Sequence, residues 1–197
     1  MIRKTIAACV LAAFGWTTMA LAETWIVDPE HTEVRVYWDH SGFSEQSLEF
    51  TKVDGSLNFS LNSVPESSAF FTIPVDSMET GVERFNNDLW SDTFFDLEKY
   101  PLISFNSTSF QQVAPMKLRV RGDLTIKDVT KETEFDVTVH AVGEHPVGRY
   151  FNYFSGTWLG VTAVANIKRS EWNMGAFVPM GSDDIRIVIN SELRAVE

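Results

Sequence analysis

The sequence is poor in cysteine, in basic residues and in long apolar runs, and each shortage excludes something. Cys9 is the only cysteine in the 197 residues. It falls in a stretch with the marks of a cleavable leader: Arg3 and Lys4, the apolar run "TIAACVLAAFGW", and the small-residue ending Ala20-Leu21-Ala22. Residues 1–22 are expected to be a signal peptide and residues 23–197 the mature domain. The apolar run is shorter than the about 20 residues that a membrane-spanning helix takes, and "IAAC" lies too near the N-terminus for a lipoprotein cleavage box. Without the leader no disulfide, thiolate nucleophile or cysteine metal site is available. Export without disulfides suits a bacterial periplasm. Lys plus Arg falls from 16 to 14 on cleavage while all 27 acids stay, for a net charge of −13. Phosphate backbones and anionic lipid surfaces repel such a chain, which argues against nucleic acid as a partner. No later run is long and apolar enough to cross a bilayer as a helix.

What is present in quantity is alternation. In "MKLRVRGDLTI", Met116, Leu118, Val120, Leu124 and Ile126 share one face, with Lys117, Arg119, Arg121 and Lys127 opposite. In "EFDVTVHAV", Phe135, Val137, Val139 and Ala141 are expected inward. The same period of two runs through "EVRVYWDH", "GSLNFSL", "SAFFTIPVDS", "LISFNSTSF", "GTWLGVTAVANIK" and "DDIRIVIN". It predicts eight or nine half-buried antiparallel strands. The alternation lapses only in "GVERFNNDLWSDTFFDLEKYP", which reads as one or two short helical segments around residues 82–98. With no repeat or linker, one all-β domain is expected, a sandwich or a barrel. Long strands at 116–127 and 157–168, with Gly122 and Gly160 inside them to allow bending, favour the barrel. Pattern alone names no function.

Chemistry-bearing clusters are sparse. His31 and His40 stand at opposite ends of one strand, about 30 Å apart if extended, and cannot share a metal there. His140 falls on a polar strand face and His145 precedes Pro146 in a loop, so no metal site is expected. Asp28 and Glu30 flank Pro29 and are read as setting a turn. Arg121-Gly122-Asp123 spells an adhesion tripeptide but lies inside the cleanest strand. No G-x-S-x-G elbow or other local signature marks a nucleophile, and no catalytic residue is assigned.

The order of landmarks adds what pattern cannot. "WIVDPEHTEVRVYWDH" is followed by "VDGSLNFS", "FFTIPVDSMETG", "LWSDTFFDLEKYPLISFNSTSF", "VRGDLTIKDVTKETEFDVTV", "KRSEWNMG" and "GSDDIRIVINSEL". Over essentially the whole mature domain this resembles the YceI-like family of polyisoprenoid-binding proteins. The L-x-S-x-x-FFD run followed by Tyr-Pro and a strand is the most specific piece. Departures stand at Asp88, Asp128 and Trp172-Asn173, where the family frequently has His, Gly and Phe-Gly.

The resemblance implies a lipocalin-like, eight-stranded antiparallel β-barrel around an apolar tunnel. It further implies a periplasmic carrier that holds a long isoprenoid lipid, a polyprenyl chain or an isoprenoid quinone such as ubiquinone. No covalent cofactor is expected; transient inner-membrane contact and a homodimer are. Tail contacts are assigned to the inward-facing Val36, Trp38, Phe59, Phe71, Ile73, Phe105, Trp158, Val161 and Ala163, with Phe43 and Phe94 near a mouth. Arg84 and Asn87 are the polar candidates for a head group, and Phe94 and Phe95 are expected to divide labour between the barrel opening and the packing beneath the connector. Two other readings stay open: an enzyme with a polar cluster at the mouth, drawn from His31, His40, Arg84 and Asp88, or an interaction module whose barrel is filled by its own side chains.

Overall fold

The computed structural model describes residues 23–196, so the expected leader lies outside the described residues. The alternating segments form β1 (Glu23–His40), β2 (Ser44–Phe50), β3 (Asp54–Phe59), β4 (Ser68–Pro74), β5 (Met78–Glu79), β6 (Leu102–Ala114), β7 (Lys117–Ile126), β8 (Val129–Glu144), β9 (Thr157–Lys168) and β10 (Asp184–Ala195). Two of the breaks are interruptions within one stave. β2 and β3 follow each other along β1, and β4 and β5 follow each other along β3 and β2. Counted this way, eight antiparallel staves neighbour one another in chain order, and β10 pairs with β1 to close the ring. Closure removes the open edges that would otherwise template aggregation. No helix among the described residues is long and apolar enough to cross a membrane.

The one α-helix among the described residues, α1 (Glu83–Trp90), lies in the segment where alternation lapses. Phe85 and Leu89, spaced i and i+4, turn towards the barrel, and Arg84, Asn87 and Asp88 face solvent. Asn86, not Asn87, is the buried amide: its Oδ1 accepts from the Thr80 backbone N–H at 2.9 Å and its Nδ2 donates to Glu79 at 3.0 Å. The Trp90 indole donates to the Val75 carbonyl at 3.2 Å and ties the helix to the turn between β4 and β5.

Apolar side chains gather in two clusters, one towards each end. Trp25, Phe59, Val64, Leu159 and Leu193 belong to the first, and Phe50, Val75, Met78, Leu124 and Trp172 to the second. Trp25 and Trp172 are each 1% exposed. Their indole N–H groups donate to the Phe59 and Leu124 carbonyls at 3.1 and 3.2 Å, which meets the hydrogen-bonding requirement of a buried indole.

Three expectations change. Leu159, Val161 and Ala163 border the interior, so Trp158 faces outward, and it is buried only because the loop of residues 145–156 folds over it. The His145 and Phe154 rings lie 5.6 and 5.5 Å from it, and its N–H donates to the Phe154 carbonyl at 3.0 Å. Ala141 is exposed, because a bulge at His140 shifts the register from Val139 opposite Val161 to Ala141 opposite Gly160. Gly122 serves packing: a Cβ there would stand 2.5 Å from the Phe105 ring, so the missing side chain is what lets that ring lie against the wall.

Candidate functional site

Inside the barrel is an apolar cavity of about 580 Å³. That lies within the range of roughly 300–1,000 Å³ usual for small-molecule sites. Val36, Trp38, Phe59, Phe71, Ile73, Phe94, Phe105, Val161 and Ala163 border it. Phe43, Arg84, Asn87 and Trp158 do not. Phe43 is 90% exposed in the turn after β1, Arg84 and Asn87 occupy the solvent face of α1, and Trp158 has the opposite strand parity. Neither polar candidate for a head group therefore reaches the interior.

The open end is formed by His40 and Ser41, α1, Phe94 and Phe95, and the loop of residues 174–182. The Ser41 hydroxyl donates to the Met180 carbonyl, joining the β1–β2 turn to that loop. Phe43, Phe177 and Met180 are 90%, 63% and 68% exposed on this rim. Phe94 and Phe177 rings lie 6.3 Å apart, so an apolar path runs from the rim inward. Phe95 also borders the cavity but packs deeper, with its ring edge-on to the buried Phe50 at 6.1 Å.

Arg169 is the residue that sequence reasoning missed. Besides His40 it is the only titratable side chain on the cavity lining. Its Nε donates to the Ser182 carbonyl at 2.8 Å, one terminal nitrogen to the Met174 carbonyl and the other to Gly181 at 3.3 Å. It makes no ion pair among the described residues, and its guanidinium lies 5.9 Å from the centre of the Phe94 ring. Burial pushes its pKa down and the nearby Asp183 carboxylate pushes it back up, but a guanidinium stays charged in any protein. Three of its five N–H groups are committed to the loop, which leaves two for a guest. Nothing local could have revealed this. The three carbonyls come from a loop that must first fold back over the barrel end.

The polar residues considered for catalysis do not assemble. No hydrogen bond or ion pair joins any two of His31, His40, Arg84 and Asp88 among the described residues. His31 lies at the far end from His40, where its Nδ1 donates to Asp28 Oδ2 at 2.6 Å. Asp28 also accepts from the Glu30 backbone N–H at 3.2 Å and from the Tyr153 hydroxyl. Burial works to raise the Asp28 carboxyl, but these hydrogen bonds outweigh it and hold the group below its ordinary value. The same Asp28 contact raises His31, and Tyr153 is pushed up to about 12 by its bond to Asp28.

Comparison with known proteins agrees with this architecture. The YceI-like domain matches residues 25–193. The UPF0312 protein plu2095 of Photorhabdus laumondii subsp. laumondii is 28% identical over 195 residues, covering 98% of this chain and 97% of its own. Protein YceI of Salmonella arizonae is 26% identical over 193 residues, 96% of this chain and 97% of its own. Burkholderia cenocepacia BcnA superposes with a TM-score of 0.74 at 24% identity, over 84% of this chain and 98% of that one. A polyisoprenoid binding domain from Saccharophagus degradans superposes with a TM-score of 0.66 at 13% identity, over 89% of this chain and 99% of that one. With a match running along nearly all of the barrel, this chain belongs to the YceI-like domain family.

Proposed function

We propose that the protein is a periplasmic carrier of a long isoprenoid lipid, with the tail in the barrel cavity and the head group beside Arg169. The single observation that carries this reading is a cavity of about 580 Å³ whose wall is mainly apolar, with the Arg169 guanidinium at its open end. The polyisoprenoid binding of the Saccharophagus degradans domain supports the same ligand class. A tail of roughly forty carbons, at about 0.8 kcal/mol per methylene, would gain on the order of 30 kcal/mol on leaving water. That exceeds the practical ceiling on affinity of about 21 kcal/mol, so the sum is not a binding energy. A bilayer already buries the tail; transfer into the barrel is close to neutral and reversible, as a carrier requires.

The two uncommitted Arg169 N–H groups suit a quinone carbonyl as well as a phosphate oxygen, and the net charge of −11 favours the neutral quinone. Titration of delipidated protein with an isoprenoid quinone and with a polyprenyl phosphate of equal length tests this. The quinone should bind at least as tightly. Loss of a charge-assisted hydrogen bond in Arg169→Gln should weaken quinone binding about tenfold. Saturable binding of neither lipid rejects the reading.

A further inference from the structure

We propose that Glu192, His31 and His145 form a site for one divalent transition-metal ion such as Zn²⁺, with Asp28 as the carboxylate that orients His31. The site is made by an irregularity in β1. Val27 opposes Leu193 and Thr32 opposes Ser191, so the whole segment Asp28-Pro29-Glu30-His31 bulges out opposite the single residue Glu192 of β10. Pro29, which has no N–H for the ladder, is suited to such a bulge. Beside the bulge is an outer pocket of about 450 Å³, lined by His31, His145 and Glu192 on the other side of the wall residues Leu159, Val161 and Ser191 that also border the barrel cavity.

Distances sort the roles. Two ligands on one tetrahedral ion, each about 2.0–2.1 Å from it, stand about 3.3 Å from each other. Glu192 Oε2 and His145 Nε2 are 3.4 Å apart, close to that edge length. His31 Nδ1 and Asp28 Oδ2, at 2.6 Å, are too close for two ligands and form a hydrogen bond. That bond fixes the proton on Nδ1 and leaves Nε2 with the free lone pair, the usual arrangement of a carboxylate behind a metal-ligating histidine. Ligand atoms of Asp28, His31 and Glu192 lie within 4.8 Å of one another, and His145 joins that group through Glu192 alone, so an ion would draw the loop that carries His145 towards His31. Glu192 Oε2 is buried and has no hydrogen-bond partner, so its negative charge is met only by the His145 contact at 3.4 Å. Two imidazoles and one carboxylate are a donor set that Zn²⁺ accepts, with water from the pocket in the fourth position. The rival arrangement is a direct His145–Glu192 ion pair. It draws on a 3.4 Å contact from the Val147 backbone N–H to His145 Nδ1, which a metal on Nε2 would displace. Because His145 belongs to the loop, the ion would clamp the loop against β1 and β10.

Untagged, chelator-treated full-length mature protein titrated with Zn²⁺ by calorimetry tests the site. One ion per chain is expected, with a higher Tm and slower tryptic cleavage after the exposed Arg149 in the loop. Glu192→Gln and His145→Ala should each weaken Zn²⁺ at least tenfold. His140→Ala, whose imidazole shares the pocket but is engaged with Thr162 at 2.8 Å, should leave affinity unchanged. No saturable Zn²⁺ binding by the unaltered protein, or undiminished binding by both ligand variants, overturns the proposal.

Discussion

Phe94 and Phe95 are adjacent in sequence and have different neighbours: Phe177 and Arg169 around the first, the buried Phe50 beside the second. Both border the cavity. Phe95→Ala should cost about 2–3 kcal/mol, somewhat below the ~3–5 kcal/mol of a fully enclosed phenylalanine because one side of its ring meets the cavity. Phe94→Ala should instead shorten lipid retention severalfold with a smaller loss of stability. Chemical denaturation and lipid off-rates of the two variants check this; equal effects on both quantities would refute the division. At this scale the sequence was legible wherever alternation held. Val36, Phe71 and Val161 lie on the cavity wall because strand parity and apolar character agree there. Trp158 broke the rule because a loop covers the outer surface at that point, and alternation reports the strand but not what later packs over it. Arg169 was illegible because its partners are backbone carbonyls, which every residue has.

The rim is a matter of elements: the turn after β1, with Phe43, and the loop of residues 174–182, with Phe177 and Met180, meet through the Ser41 hydroxyl and the Met180 carbonyl. Their exposed apolar side chains surround the open end of the cavity. Lys168 and Arg186, the nearby strand cations, are already paired with Asp184 and Glu45 at 2.6 and 2.9 Å. Contact with a bilayer through these side chains would be mainly apolar, with Arg84 on the solvent face of α1 as a nearby cation. Transfer of quinone to phosphatidylcholine vesicles should therefore change little with ionic strength, and a Phe177→Asp, Met180→Asp double variant should slow it at least severalfold, by a larger factor than it weakens equilibrium binding of free quinone. Unchanged transfer by that variant, or steep salt dependence, would contradict it. Element type and order were readable from period two, and the single lapse in alternation marked α1 correctly. What could not be read was continuity. The breaks after Phe50 and Pro74 look like strand ends in sequence, yet the chain resumes along the same neighbours, and only pairing across the barrel reveals it. The bulges at Asp28–His31 and His140 are hidden for the same reason, since a bulge is defined by its partner strand.

For the whole molecule, closure between the first and last staves is what creates both sites. It encloses the apolar cavity and carries Glu192 next to His31 from the far end of the chain. The function assigned to the cavity depends on the interior being free to accept a tail. Ala163 borders the cavity on β9, opposite Val137 and Ile189. A larger side chain there occupies the tail's path without touching Arg169 or the rim. The most direct measurement is mass spectrometry of the organic extract from purified protein and from its Ala163→Phe variant, the fold of both checked by circular dichroism. An isoprenoid quinone or polyprenyl lipid in near-stoichiometric amount from the unaltered protein, lost from the folded variant, is the result expected here; only bulk phospholipid from the former, or equal isoprenoid from both, would contradict it.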